Sequence, residues 1–374
     1  MNKKKIIVKG KKQNEENKMV KTKKEINIIK DKSPQIKIIK NENIKIETCI
    51  HISDLHIRLN SINSDKYDEL NAIFNELFKQ IEEQKQKTTN LIIVISGDIC
   101  DKSRLYGQEI HFIEKTITRL ANYGEVFIIY GNHDFINYES SEMFYLVPIM
   151  RNKNTKYQVH FLLESGLYQY NNILFGVTTV YSKDIVKCDN INNKDLIKIG
   201  LYHGLVYSDS IKHVLPNKEH YISIKEFESY DICMFGDLHT PIFHDHPKNT
   251  RGYAGSIYPV TRAENYQHGY NYWDLMNKKG EFREIKSDYG YVTLEIDESG
   301  IKDIDKISIP KNVKMDVYYK NIDYDKAKEL TKRLEEKYNI SIEPQLDLSL
   351  KNINNDDKNV MINKLSELKT KEGL

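Results

Sequence analysis

The sequence predicts an α/β fold with a largely parallel sheet, followed by a small α+β unit. Two observations carry this. Apolar strand-like runs alternate with amphipathic helices over the first half of the chain, which implies crossover connections and parallel pairing. After Trp273 the order changes to strands around one helix.

Taken in order, Ile46–Ile52 reads as a buried strand running into Ser53-Asp54-Leu55-His56. Leu70, Ile73, Phe74, Leu77, Phe78 and Ile81 then recur at the spacing of one helical face. Leu91–Ser96 is a continuous apolar strand ending at Gly97-Asp98. The region from about Gln108 to Tyr123 is helical, with Ile110, Ile113, Ile117 and Leu120 as its stripe. Val126–Tyr130 is a strand ending at Gly131-Asn132-His133-Asp134, and a short helix holds Met143, Phe144, Val147 and Met150. Tyr157–Leu163, Ile173–Thr178, Ile197–Tyr202 and Asp231–Phe235 read as strands, the last two meeting His203-Gly204 and Gly236-Asp237-Leu238-His239. Tyr291–Ile296, Val313–Tyr319 and Ser341–Leu350 are strands around a helix over Asp323–Tyr338. The expected organisation is an arm at 1–44, a main domain at 45–290, and a small α+β domain with a charged tail at 291–374.

The net charge of +2 hides an asymmetry. Residues 1–40 hold fourteen lysines against four acids, a net of +10, which leaves −8 for the rest. Such a basic arm is expected to be solvated and disordered, with phosphate contacts to nucleic acid as the functional alternative. Cys49, Cys100, Cys188 and Cys233 form no C-x-x-C pair and read as buried reduced thiols. No apolar run reaches the roughly 18 residues of a membrane span, and the N-terminus lacks a secretory pattern. An intracellular location is the expectation.

The chemistry lies in residues just past the strand ends, where open α/β sheets form their sites. Asp54, His56, Asp98, Asn132, His203, Asp237 and His239 together offer carboxylate, imidazole and carboxamide donors. Asp54 and His56, like Asp237 and His239, are two apart, which on extended backbone turns both side chains one way. Asp98 is a carboxylate able to bridge two cations. Mixed oxygen and nitrogen donors suit Mn, Fe or Zn better than Mg or Ca, and manganese is the leading candidate. Two divalent ions side by side activate a phosphoester displacement, with metal-bound hydroxide as nucleophile. Singly, each Asp-x-His or Gly-Asp is an ordinary turn or cap; jointly and in this order they define a site. His133 is set apart as the proton donor to the leaving oxygen, since imidazole titrates near neutrality. Asp134 is expected to orient its ring. His51 reads as a core residue, and His244 and His246 as loop residues.

The series Asp-x-His, Gly-Asp, Gly-Asn-His-Asp, His-Gly and Gly-x-x-His over about residues 46–285 resembles the calcineurin-like metallophosphoesterases. The resemblance implies a four-layer α/β/β/α sandwich with a dimetal site at the strand ends. A narrower resemblance is to DNA repair nucleases of the meiotic recombination eleven and SbcD type. It rests on Gly97-Asp98 through Ser103-Arg104, on Gly252-Tyr253-Ala254-Gly255-Ser256 through Glu264, and on His268-Gly269-Tyr270 with Trp273-Asp274-Leu275. It implies a DNA nuclease with an SMC-like ATPase partner, a homodimer, and a C-terminal cap that grips DNA. It assigns Asp54, His56, Asp98 and His239 to one metal, and Asp98, Asn132, His203 and Asp237 to the other. Asp101 and Arg104 fall on the substrate side. Two positions depart from the pattern: Asp237 stands where histidine is usual, and Asp101 where a second histidine is usual. An aspartate there repels phosphate. The alternatives are a calcineurin-like phosphatase or phosphodiesterase with a non-DNA substrate, and a non-catalytic DNA-repair scaffold.

Overall fold

The computed structural model describes residues 35–345, apart from 60–63, 89, 103–104, 135–145, 152, 217–220, 262–263, 265, 302–308 and 341. The chain opens with β1 (Ile36–Lys40) and β2 (Thr48–Ile52), then α1 (Ser64–Lys85), β3 (Leu91–Ser96), α2 (Gly107–Leu120) and β4 (Glu125–Ile129). A 3-10 turn at Asn132–Asp134 precedes α3 (Leu146–Arg151) and β5 (Val159–Phe161). Then come β6 (Gly166–Tyr170), β7 (Ile173–Thr178), β8 (Ile197–His203), β9 (Val206–Tyr207), β10 (Ile222–Ser223), β11 (Ile232–Gly236), β12 (Ile242–Phe243) and β13 (Arg251–Tyr253), of which β9 and β10 form a small pair of their own and the others join β1 in the second sheet. The hairpin β14 (Gly269–Asp274) and β15 (Lys279–Glu284) returns to the first sheet.

The first sheet runs β15-β14-β2-β3-β4-β5 and the second β1-β6-β7-β8-β11-β13-β12. The expected parallel pairing holds for β2 through β5 and for β7, β8, β11 and β13. Antiparallel pairing enters where β14 joins β2, β6 joins β7 and β12 joins β13.

Strand alternation builds the layers. Ile50, Ile52, Ile93, Ile95, Val126 and Ile128 face α1 and α2, where Leu70, Phe74, Leu77, Phe112, Ile113 and Ile117 are buried. Their neighbours Cys49, Ile92, Val94, Phe127 and Ile129 face the second sheet and meet Phe175, Val177, Ile199, Leu201, Ile232 and Met234. Each fully buried side chain of this size stabilises by roughly 1.5–3 kcal/mol. The outer face of the second sheet, with Leu174, Cys233 and Phe235, is covered by Phe227, Ile211 and Ile185. Among the described residues this fourth layer is a 3-10 helix (Ile224–Phe227) and loops rather than α-helix.

One expectation changes here. The arm expected to reach residue 44 contains β1, which pairs in parallel with β6 as an edge strand. Isoleucines spaced along a lysine-rich stretch look aperiodic because an edge strand buries little; the run is only intermediate or exposed. The short helix after β4 is present as α3, with Leu146 and Met150 buried, while Met143 and Phe144 lie outside the described residues.

The C-terminal strands β16 (Tyr289–Asp297), β17 (Gly300–Ile301), β18 (Asn312–Lys320) and β19 (Glu343–Gln345) form a four-stranded sheet with α4 (Tyr324–Tyr338). It has its own core, in which Leu294, Ile296, Val317 and Tyr319 pack with Ala327 and Leu334. Of the strand expected over 341–350, only β19 lies within the described residues. No helix among the described residues is long and apolar enough to cross a membrane. All four cysteines are buried and free.

Candidate metal centre

Because β2, β3 and β4 run parallel, as do β8 and β11, their carboxyl ends deliver the polar residues to one edge of the sandwich. Across the two sheets, His203 Nδ1 donates to the Ser96 carbonyl oxygen at 2.8 Å. Within the first sheet, the Asp54 and His56 amides donate to the Gly97 and Asp98 carbonyls at 3.1 and 2.9 Å.

The i, i+2 pairs are not presented by strand alternation. Asp54, His56, Asp98 and Asp237 all have positive φ, at 51°, 36°, 51° and 91°. Left-handed backbone at a residue with a Cβ costs about 1–2 kcal/mol. These bends, rather than extended chain, aim the side chains. The glycines of the motifs make room. Gly97, at φ 95°, would drive a Cβ into His203 Nδ1 and to 2.7 Å from the Gly131 amide. A Cβ at Gly131 would strike the Asp98 carboxylate.

The converging atoms form three overlapping groups: Asp54 with His56 and His239, Asp54 with Asp98 and His203, and His56 with Asp98 and His133. Asp98 Oδ2 lies between the imidazoles, 3.5 Å from His56 Nε2 and 3.3 Å from His203 Nε2. Asn132 Oδ1 is 3.0 Å from His203 Nε2. His239 Nε2 faces His56 Nε2 at 3.1 Å. Asp54 is fully buried and accepts from the Asp237 amide at 3.0 Å.

The charges in this cluster contend. Burial pushes the Asp54 carboxyl up to about 6, with Asp98 adding to the shift. Burial also lifts Asp98, but His203 and His56 outweigh it and hold Asp98 well below the usual carboxylate range. Burial would lower His203, yet Asp98, Asp54 and Asp237 raise it to about 10. His56 is brought down to about 3, by burial first and by His239 and His133 after it. Two lone pairs cannot face each other at 3.1 Å without a proton or a cation between them. The same holds for His203 Nε2 and Asn132 Oδ1, since Nδ1 of that ring already donates to a carbonyl. A divalent cation answers all of these contacts together, and the oxygen and nitrogen donors suit one. The residues therefore fit a metal centre.

Of the residues expected at the site, Asp54, His56, Asp98, Asn132, His203 and His239 meet directly. Asp237 touches the cluster through its backbone amide, and its carboxylate is near enough to raise His203. His133 is exposed at the rim, its ring edge-on to that of His56 with centroids 4.8 Å apart.

Asp134 does not orient the His133 ring. Its carboxylate accepts from the Cys100 and Gly131 amides at 3.0 and 2.8 Å, tying the loops after β3 and β4 together. The burial that this requires pushes its carboxyl up to about 7. The ring is held instead by the Asp101 carbonyl oxygen, 2.8 Å from His133 Nδ1. The Asp101 side chain turns inward, 3.9 Å from His56 Nδ1 and 3.7 Å from Arg58 Nη1. Arg104 lies outside the described residues.

Sequence reasoning gave no role to Ser96, Arg58 or Glu264. Glu264 accepts from His239 Nδ1 at 2.9 Å. Its segment was recognisable, but nothing local says which histidine it reaches, 25 residues away. His51 is a core residue; its Nε2 meets Ser96 Oγ at 2.7 Å, buttressing the residue whose carbonyl holds His203.

Residues 48–274 match the family described as calcineurin-like phosphoesterase. An uncharacterised protein of Acanthamoeba polyphaga mimivirus is 29% identical over 81% of this chain, and the aligned region spans 22% of that protein's length. A DNA double-strand break repair protein, Mre11, of Nanoarchaeum equitans is 26% identical over 77% of this chain and 81% of its own. A solved Thermus thermophilus structure, TT1561, aligns over 65% of the chain with TM-score 0.39 and 9% identity.

Proposed function

Because this chain belongs to the calcineurin-like phosphoesterase family, we propose that it is a metal-dependent phosphodiester hydrolase acting on DNA, of the double-strand-break repair type. The observation that carries the chemistry is Asp98 Oδ2 placed between His56 and His203, with His133 beside them at the rim. DNA as substrate is supported by the likeness to the Nanoarchaeum repair protein, which extends over most of that protein's length.

Asp54, His56, Asp98 and His239 would hold one ion, and Asp98, Asn132, His203 and Asp237 the other. Such ions supply Lewis-acid stabilisation of the phosphoryl oxygens and lower the pKa of water. Asp98 joins the two halves through one carboxylate. His133 has its Nδ1 engaged by the Asp101 carbonyl, so Nε2 is the atom that carries a proton to the leaving oxygen. The Asp101 carboxylate, the residue expected to repel a phosphate, has Arg58 beside it as counter-charge. Its inward turn, toward Arg58 and His56, supports the reading of a DNA substrate.

The test is a manganese-supplemented assay on double-stranded DNA, single-stranded DNA and bis(p-nitrophenyl) phosphate. DNA hydrolysis is expected, and His133→Asn should lower turnover by roughly 10²–10⁴-fold while manganese binding persists. Hydrolysis of the small ester alone would replace DNA with a non-DNA substrate. Full activity in His133→Asn would remove the proton-transfer role.

A further inference from the structure

The histidines of the centre are backed unequally. His239 Nδ1 donates to Glu264 Oε1 at 2.9 Å. Glu264 is itself buried and fixed by the Val260 and Thr261 amides at 3.0 and 3.2 Å and by the Thr261 hydroxyl at 3.1 Å. Among the described residues His56 Nδ1 is buried with no hydrogen-bond partner, and Asp101 Oδ1 lies 3.9 Å away. Arg58 stands on the far side of that carboxylate. His203, by contrast, is backed by a neutral group, the Ser96 carbonyl.

Resting on the metal-centre reading above, we propose that Glu264 and Asp101 are positioning residues that back His239 and His56, and make the Asp54 half of the centre the tighter metal site. A carboxylate on Nδ1–H fixes the ring tautomer, so that Nε2 faces inward with its lone pair. It also shares negative charge with the ring and makes that nitrogen a stronger donor than a carbonyl partner does. Both Nε2 atoms point at the same place, 3.1 Å apart. Asp101 has about 1 Å to close on His56, against the 2.7–3.2 Å of a hydrogen bond. A cation drawing on His56 Nε2 strengthens the Nδ1–H donor and favours that closure. The aspartate at 101 then has a use: it supplies a second backing carboxylate on the same half.

The experiment is calorimetric titration of the full-length protein with manganese, run on wild type, Glu264→Gln and Asp101→Asn. Nitrogen NMR of the histidine side chains in the zinc-loaded protein reports the tautomers. Wild type should bind two ions in separable steps. Each variant should weaken the tighter step by roughly 10–100-fold and leave the looser step in place. His56 and His239 should lose their fixed tautomer signatures while His203 keeps its own. Glu264 is buried among several donors, so Glu264→Gln also risks misfolding; Asp101 is partly exposed, and Asp101→Asn alone decides the matter if the other variant does not fold. Failure of wild type to bind two ions sinks the metal-centre reading itself. Two-site binding in wild type with both steps unchanged in Asp101→Asn, both weakened equally, or only the looser step weakened, overturns the backing proposal and leaves the centre standing.

Discussion

Single residues at the centre carry conformational and electrostatic costs that the rest of the fold must offset. Four of the residues expected as ligands sit at positive φ, where a side chain is disfavoured. Asp54 and His56 are held by their own amides, which donate to carbonyls at the neighbouring strand end, and glycines leave room for a ligand atom. Asp134 is the firmest of these ties, because one carboxylate satisfies two buried amides from different loops. Asp134→Ala should therefore destabilise the protein by about 2–4 kcal/mol, as two buried donors are left without an acceptor. Urea denaturation reads this directly. A change under about 0.5 kcal/mol would show that the loops are held some other way. Asp-x-His and Gly-Asp were legible as residue types at strand ends. The bend that aims them was not, since positive φ at a non-glycine residue has no signature in composition or periodicity.

Among the elements, those that read best are those whose burial is regular. The apolar stripe of α1 and the continuous run of β3 were visible because one face, or the whole strand, is dry. The elements that escaped include edge strands and two inner strands of the second sheet, β6 and β13. β15, of sequence KGEFRE, is mostly intermediate or exposed and has one large apolar residue, so its pairing with β14 leaves no apolar mark. β1 escaped for the same reason. In α4 the boundary is set by chemistry: Asp323 has extended backbone, and its side chain accepts from the Asp325 amide at 3.0 Å. Asp323→Ala should cost about 1 kcal/mol, and Asp323→Gly only a few tenths. Hydrogen exchange of the first-turn amides of α4 should accelerate in the alanine variant. Equal protection in both variants would mean that packing on β18, not the cap, starts the helix.

For the whole molecule, two behaviours follow from where charge and burial lie. His51 and His244 are buried, and burial lowers their imidazoles to about 3 and about 4. The unfolded chain binds protons at these positions from about pH 6.5 downward, while the folded chain does not until about pH 4 or below. Stability contributed by their neutral forms is thus present above about pH 6.5 and is lost as pH falls toward about 4, by about 1–3 kcal/mol for each. His244→Phe keeps ring packing against Phe235 and Tyr253 and should flatten the slope of stability with pH between about 6.5 and 4.5. An unchanged slope would place the acid sensitivity elsewhere. The second behaviour concerns the basic arm. β1 begins at Ile36, so a deletion meant to test the arm should end at residue 34. Residues 1–34 hold twelve lysines against four acids. Their removal should weaken DNA binding and make the salt dependence less steep, by about 0.9 in log–log slope for each phosphate that the arm neutralises. An identical slope would make the arm a spectator.

The sequence by itself determined the donor types, their order and their place after strands, because a metal's needs and a strand's burial are both written in residue chemistry. It likewise determined the buried face of α1 and the central strands β2, β3, β4, β7, β8 and β11. Tertiary structure alone decided which groups face each other: His203 against Ser96 across the two sheets, Glu264 behind His239, and Asp101 turned from the rim toward His56 and Arg58. The reason is physical. Ligand identity is a property of one residue, whereas orientation comes from non-local hydrogen bonds and packing that only the folded chain brings within reach.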